Sequence, residues 1–513
     1  MANQDTDATW KYHNGTKHSP LSIRAHPHFL DWENKPLPFK IYPTLEVLRL
    51  PKQPKQTGVA ALSAIANTGI VSKKEAVPDL EAIAQLLFFS AGVTKSKKYP
   101  GGEIFFRAAA CTGALYEIEL YLVCTDLAEL PAGVYHFGVA EFGLRQLRAG
   151  DFRETLVKAT ADEPSVSHAP LIIVCTGTYW RNAWKYRSRT YRHFGWDNGT
   201  ILANLLAMSS ALGLPAKIVC GFVDAQMNSL LDLDIQREVA FSLVSVGYVA
   251  SKPSTAGSVG KLDLPGVAYS KAEVDYPPMR QMHNACSLDS PEEAAEWRKR
   301  ATVPRSKDGA KTSPEIPLKP LSDAEIPRDT IEQVILRRGS TRKFSHDPIT
   351  FPQLSTLLDR ATRGVPADFL NTPGAQLNEL YLVVNNVAGL NSGAYFHNRD
   401  KNTLSLLKEG NFREQAGYLG LEQELPGDAA VNFFFLADLS KILARLGNRG
   451  YRAVQLEAGG IGGKLYVAAY AQHLGASGLT FYDDEVVKFF SPHAKGKSAI
   501  FLVTAGKSAA SAR

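Results

Sequence analysis

The chain lacks any apolar run near the ~18 residues needed to cross a bilayer; stretches such as "LIIVCTGTYW" have only the length of a strand. Cysteine is scarce. There are five, Cys111, Cys124, Cys175, Cys220 and Cys286, an odd number with no CxxC pair. That argues against a disulfide framework or a zinc knuckle and suits a reducing, cytoplasmic setting. The opening "MANQDTDATWKYHNG" has no apolar h-region, so no signal peptide is expected. Walker and GxSxG motifs are missing, which removes the simplest nucleoside-triphosphate and serine-hydrolase readings. Histidines, including the "HPH" at 26–28, show no ligand spacing, so no metal is expected. A strong charge of either sign is also missing. A net charge of +6 over 513 residues does not call for nucleic acid, yet leaves cations for an anionic cofactor.

What is present is duplicated. "GDFRE" at 150–154 matches "GNFRE" at 410–414; Gly133 and Tyr135 match Gly393 and Tyr395; Tyr191-Arg192 matches Tyr451-Arg452; Gly199 matches Gly459. Every pair is 260 residues apart and the order is kept, which predicts two copies of one domain. The boundaries expected are an arm over 1–60, a first domain over 61–250, a linker over 251–325 and a second domain over 326–513. The linker is rich in Pro, Ser, Gly and charge, with a short helix expected at "SPEEAAEWRKR".

Within each copy helical and strand patterns intermix without a regular βαβ beat, so the class expected is α+β. "DTIEQVILRRG" puts Ile331, Val334 and Ile335 on one face, and Thr350 with Gln353 has capping-box spacing ahead of Leu354, Leu357 and Leu358. "EAGGIGG" at 457–463 superficially suggests a dinucleotide loop. It lacks a preceding strand and leads an apolar helix, so tight helix packing is the better reading.

One cluster is not duplicated. "LRRGSTRKFSHDP", residues 336–348, gathers Arg337, Arg338, Arg342 and Lys343 around Gly339, Ser340 and Thr341. Basic residues favour helix C-termini, which is one reading. The other is a phosphate cradle, for which guanidinium forks, a hydroxyl and N–H groups at a glycine are the required parts.

"RRGSTRKF" resembles the opening of the nitroreductase superfamily. "GASGLTFYDDEVVKFF" at 475–490 and "FFSAGVT…FFRAAACTGALYEIELYLV" at 88–123 resemble its SagB-type, thiazole- and oxazole-forming dehydrogenase branch. The resemblance implies two fused nitroreductase-like domains, each a mixed, mainly antiparallel sheet flanked by helices, forming an intramolecular pseudo-dimer. It implies FMN at their junction, with hydride transfer to or from flavin N5. Arg338, Gly339, Ser340 and Arg342 of the second copy would hold the phosphate and ring edge. The small-residue loop Ala110, Cys111, Thr112 and Gly113 of the first copy would lie against the ring. Leu479 and Thr480 would offer backbone groups near N5, and Lys497, in competition with Lys495, a cation for the phosphate. Cys111 stands where relatives often have serine; a small buried residue is the plainer reading. Pro373 and Gly374 suggest a remnant of a second site.

The Lys185-Tyr186 pair precedes Tyr191-Arg192 as in that branch, and the second copy has Arg445 and Leu446 instead. The pair would be catalytic, handling a proton as hydride leaves. The alternative is a basic aromatic surface segment, with Arg181, Arg187, Arg189 and Arg192 close by. The substrate implied is a small molecule or peptide heterocycle, azoline- or amide-like, with NAD(P)H a candidate partner. A non-catalytic flavin scaffold, an NAD(P)H-dependent nitroreductase and a dehalogenase remain open alternatives, as does further dimerisation.

Overall fold

A computed structural model describes residues 2–25, 27–51, 55–69, 74–99, 102–253, 257–301, 315–370 and 374–509. Two seven-stranded sheets dominate it. The first runs, in spatial order, Leu48–Arg49, Gly143–Ala149, Gly133–Gly138, Ile118–Cys124, Leu171–Thr178, Glu238–Val246 and Ala216–Val219. The second runs Glu315–Pro317, Thr403–Glu409, Gly393–Asn398, Glu379–Val384, Val431–Ala437, Ser498–Gly506 and Gly475–Leu479. The order is the same in both, and every pairing within them is antiparallel. The expected parallel admixture among the described residues is a two-residue ladder, Ile349–Thr350 on Val387–Ala388, and a single bridge between Ile218 and Ala367. The α+β class and the two like units hold.

Each copy sends one long helix into the middle of the molecule, Thr190–Ala211 from the first and Arg449–Ala471 from the second. Nearly every residue of both is buried, which no amphipathic surface helix would show. They approach so closely because glycine stands at the crossing. A Cβ on Gly199 would lie 2.4 Å from Gly460 N, and one on Gly459 would lie 2.4 Å from Trp196 O. Gly463 serves the same purpose against Thr200 and Ala203. The glycines of "EAGGIGG" thus serve helix packing. One apolar core includes Ile65 and Leu202 of the first copy with Leu358 and Leu465 of the second.

Sequence caps its helices as the patterns require. Thr330 with Gln333, and Thr350 with Gln353, both form complete capping boxes. The segments read as arm and linker are structured as well. Helix Asp7–Gly15 and helix Pro277–Ala285 occupy equivalent places, and Pro291–Arg300 is the short helix expected. Arg189 and Arg192 of the first copy pair with Asp483 of the second, and Arg449 and Arg452 of the second pair with Asp224 of the first. Both aspartates also take a backbone N–H from beyond these helices, His18 onto Asp483 (2.8 Å) and Leu288 onto Asp224 (3.1 Å). The duplication therefore extends into the arm and the linker, where His13 matches His283 at a spacing of 270. Arg181, Arg189 and Arg192 are buried and paired, so "WKYRSRTYRHFG" is not a basic surface segment.

Candidate active site

The helix Ile331–Arg337 ends where Arg338 turns into the seam between the copies. Arg338 is 8% exposed. Its Nε donates to Ala108 O (2.9 Å), one Nη to Arg107 O (2.8 Å) and the other to Gly339 O (3.2 Å). It thus holds the cradle of the second copy against the loop root of the first. Two of its five N–H donors remain beyond those bonds. Lys95, on the hairpin strand Val93–Tyr99, stands beside it with Nζ 3.5 Å from the carbonyls of Arg337 and Arg338. Partial burial and the Arg338 charge lower the Lys95 pKa.

Tyr466 on the second central helix organises the neighbouring hydroxyls. Its ring lies 5.9 Å from the Arg338 guanidinium, its OH is 3.3 Å from Ser340 Oγ, and it accepts the Gly478 N–H. That ties Ser340 to the strand Gly475–Leu479. Leu479 and Thr480, at its end, are half-buried, and Thr480 Oγ1 is a buried polar atom without a protein partner. Gly339 is not forced by space, since a Cβ there would meet only Tyr470 OH at 3.5 Å.

From the first copy comes the loop Ala110–Ala114. Gly113 has φ +64° and its Cβ would lie 2.8 Å from Tyr186 OH, so glycine is required twice over. Asp197 on the first central helix fastens this loop, accepting the Thr112 N–H (2.9 Å) and Thr112 Oγ1 (2.9 Å). Thr200 Oγ1 donates to Ala110 O (2.6 Å). Cys111 points its thiol towards Asp197 and Glu117 (3.3 and 3.5 Å). Burial, then those two carboxylates, raises the Cys111 pKa, and burial with Glu117 beside it raises that of Asp197.

Lys185 and Tyr186 end the helix Tyr179–Tyr186. Lys185 Nζ stands 5.4 Å from the Tyr186 ring centroid, and that ring meets His193 edge-on at 4.7 Å. Partial burial, then the charges of Arg342 and Lys35, lowers the Lys185 pKa. Burial raises that of Tyr186, with Asp197, Cys111 and Glu117 adding to it and Arg342 opposing. Arg342, exposed on the second copy, therefore lies in electrostatic reach of this pair on the first.

Lys497 is not brought here. It pairs with Glu379 at the start of the strand Ser498–Gly506, and Lys495 shares that end. The cradle lies at the other end, where Thr341 Oγ1 meets Ser508 Oγ (3.2 Å). The nine residues of the strand separate the two, roughly 30 Å. The lysine at the near end is Lys507, which the sequence reading missed because only the register of that strand reveals it. Tyr466 and Asp197 were missed as well, since a tyrosine or aspartate inside a long helix carries no local signal.

The second seam holds different side chains at the corresponding places. Counting back from the paired aspartates, Cys220–Gly221 corresponds to Leu479–Thr480. Both N–H groups donate to the buried carboxylate of Asp368 (2.9 and 2.7 Å). Lys464 Nζ donates there to Thr68 Oγ1 (3.0 Å) and Gly364 O (2.6 Å). Gly374 is described, with φ +77°; Pro373 lies outside the described residues.

Residues 335–507 match the nitroreductase family model. The second copy thus carries a nitroreductase family domain, which supports an oxidoreductase. A crystal structure from Anabaena variabilis, titled as a nitroreductase, covers 98% of this chain and 99% of its own with a TM-score of 0.77 and 24% identity, a likeness of fold over both copies. A Methanocaldococcus jannaschii protein named as a nitroreductase is 26% identical over 168 residues, 33% of this chain and 80% of that protein. The trifolitoxin-processing protein TfxB of Rhizobium leguminosarum bv. trifolii is 31% identical over 169 residues, 32% of this chain and 45% of TfxB. No helix among the described residues is long and apolar enough to cross a membrane.

Proposed function

We propose that this protein is an FMN-dependent dehydrogenase that oxidises an azoline- or amide-like substrate, with a single flavin in the seam. The observation carrying this is the meeting of two sets of residues from different copies. Arg338 is bonded to the loop root of the first copy, and Arg342 reaches the Lys185-Tyr186 pair. The donors left on Arg338, the Ser340 hydroxyl, Lys95 and Lys507 suit a phosphate dianion. The orphaned Thr480 Oγ1 and the glycine-lined loop suit a flat, polar-edged ring between them.

FMN, when bound, supplies a two-electron hydride acceptor. The chain supplies the proton chemistry. Partial burial, then the cations beside Lys185, lower its pKa towards the neutral amine, which is the form able to take a proton from substrate carbon or nitrogen. Tyr186, kept protonated by burial and nearby acids, offers its OH as a hydrogen-bond donor that orients the substrate. Arg342 would place positive charge against the ring edge, favouring the reduced anionic cofactor. The resemblance to thiazole- and oxazole-forming dehydrogenases and the match to a trifolitoxin-processing protein support a heterocycle-bearing substrate.

The test is flavin content together with turnover. Purified protein should be yellow with one FMN per chain. Arg338→Ala with Arg342→Ala should lose the flavin, each charged hydrogen bond being worth about 1.5–3 kcal/mol. Lys185→Ala should keep it and lose most turnover on an azoline peptide, assayed beside a nitroaromatic with NADH or NADPH. A colourless protein that ignores added FMN would refute the reading, as would flavin loss in Lys185→Ala with none in the arginine variants.

A further inference from the structure

The two copies differ at one buried contact between loop and central helix. In the second, Glu457 is saturated. Its Oε2 accepts the N–H groups of Leu377 (2.9 Å) and Asn378 (2.8 Å) and the Asn378 side-chain amide (2.7 Å). Its counterpart 260 residues earlier is Asp197. There the equivalent stretch carries no amide. It carries Glu117, wholly buried, whose Oε1 has no partner. Beside both stands the thiol of Cys111, so that three ligand-type atoms lie within 4.8 Å of one another. No Lys, Arg or His among the described residues forms an ion pair with either carboxylate. Arg107 and Arg338 lie in electrostatic reach of the Cys111 thiol, but two buried carboxyls without an ion-pair partner of their own remain costly unless protons or a metal ion supply the positive charge.

The spacing that serves an S–H···O hydrogen bond here also suits a shared metal ion. A tetrahedral zinc with Zn–S about 2.3 Å and Zn–O about 2.0 Å separates sulfur from oxygen by about 3.5 Å. Cys111 Sγ lies 3.3 Å from Asp197 Oδ2 and 3.5 Å from Glu117 Oε2. The surroundings are those of metal ligands. Tyr116 N–H donates to Cys111 Sγ (3.1 Å), and Thr112 donates N–H and OH to Asp197. A small cavity lined by Cys111, Asp197, Ala110, Ile118 and the buried Arg107 adjoins two of the three, with room for about one water as a further ligand. We propose that Cys111, Glu117 and Asp197 form a site for a thiophilic divalent cation, zinc foremost, which staples the small-residue loop of the first copy to its central helix. The site stands independently of the flavin reading.

The full chain, stripped with chelator and dialysed against micromolar zinc, should retain one zinc by elemental analysis. Cobalt in its place should give a thiolate charge-transfer band in the near ultraviolet. Cys111→Ser should abolish that band. Glu117→Gln, which replaces one of the two buried acids by an amide of the same shape, should fold, lose stoichiometric metal and no longer gain melting temperature from zinc. Wild-type protein that holds no metal under these conditions would overturn the proposal in favour of carboxyls sharing a proton. Equal zinc content in wild type and both variants would overturn it in favour of another site.

Discussion

Lys464 shows how one side chain can register the history of a seam. It is wholly buried, and burial, aided by the charge of Arg399, brings its pKa from 10.5 down to about 7. The unfolded chain therefore holds this proton to higher pH than the folded one. Below about pH 7 the cost of burying the charged amine is present in full; between about 7 and 10.5 stability rises with pH. The slope contributed approaches about 1.4 kcal/mol per pH unit inside that window. Denaturant unfolding at pH 7 and 9 should show wild type gaining on Lys464→Met; a difference constant with pH would refute the assignment. The counterpart 260 residues earlier is Asn204, which donates to Phe89 O and Ala108 O. The first seam thus keeps a neutral amide where the second has a cation.

At the scale of elements, the crossing of the two central helices decides how the copies meet. Alanine is a better helix former than glycine by about 1 kcal/mol, so Gly459→Ala on propensity alone would stabilise. Its Cβ, however, would meet Trp196 O at 2.4 Å and Gly195 O at 2.7 Å, backbone atoms that cannot swing away. Overpacking of this kind costs about 1–3 kcal/mol or more. We expect Gly459→Ala to lower the melting temperature, and a rise would show that the close approach is dispensable. The Thr350–Gln353 capping box was readable because Thr and Gln three apart is a local pattern with a local cause, and the same pattern at Thr330 and Gln333 could have been read in the same way. Apart from the helix Pro291–Arg300, the structure of the arm and linker was not, because their helices are short and polar and are held by partners far along the chain, as when Cys286 Sγ donates to Asn448 O.

For the whole molecule, the reciprocal arginine–aspartate groups make the copies a unit. Asp483 is buried between Arg189 and Arg192, which hold its carboxyl far below the usual range despite the opposing effect of burial. Asp483→Asn would leave two guanidiniums buried without a counter-charge, a change that costs about 3–5 kcal/mol. Calorimetry should show a single transition in wild type and a marked fall in the variant. Two separate transitions in wild type would mean that the halves fold independently.

Sequence alone determined that there are two copies, where their strands and capped helices lie, and that the basic cluster occurs once. Each of these rests on local pattern or on repetition, which a linear string preserves. The tertiary structure decided what meets across the seam. It put Arg342 near Lys185, made Tyr466 the link between Ser340 and Gly478, removed Lys497 to the far end of its strand and set Asp368 into the second seam. Those outcomes depend on strand register and helix crossing. Both are fixed by the packing of residues hundreds of positions apart, and no single stretch of the chain records them.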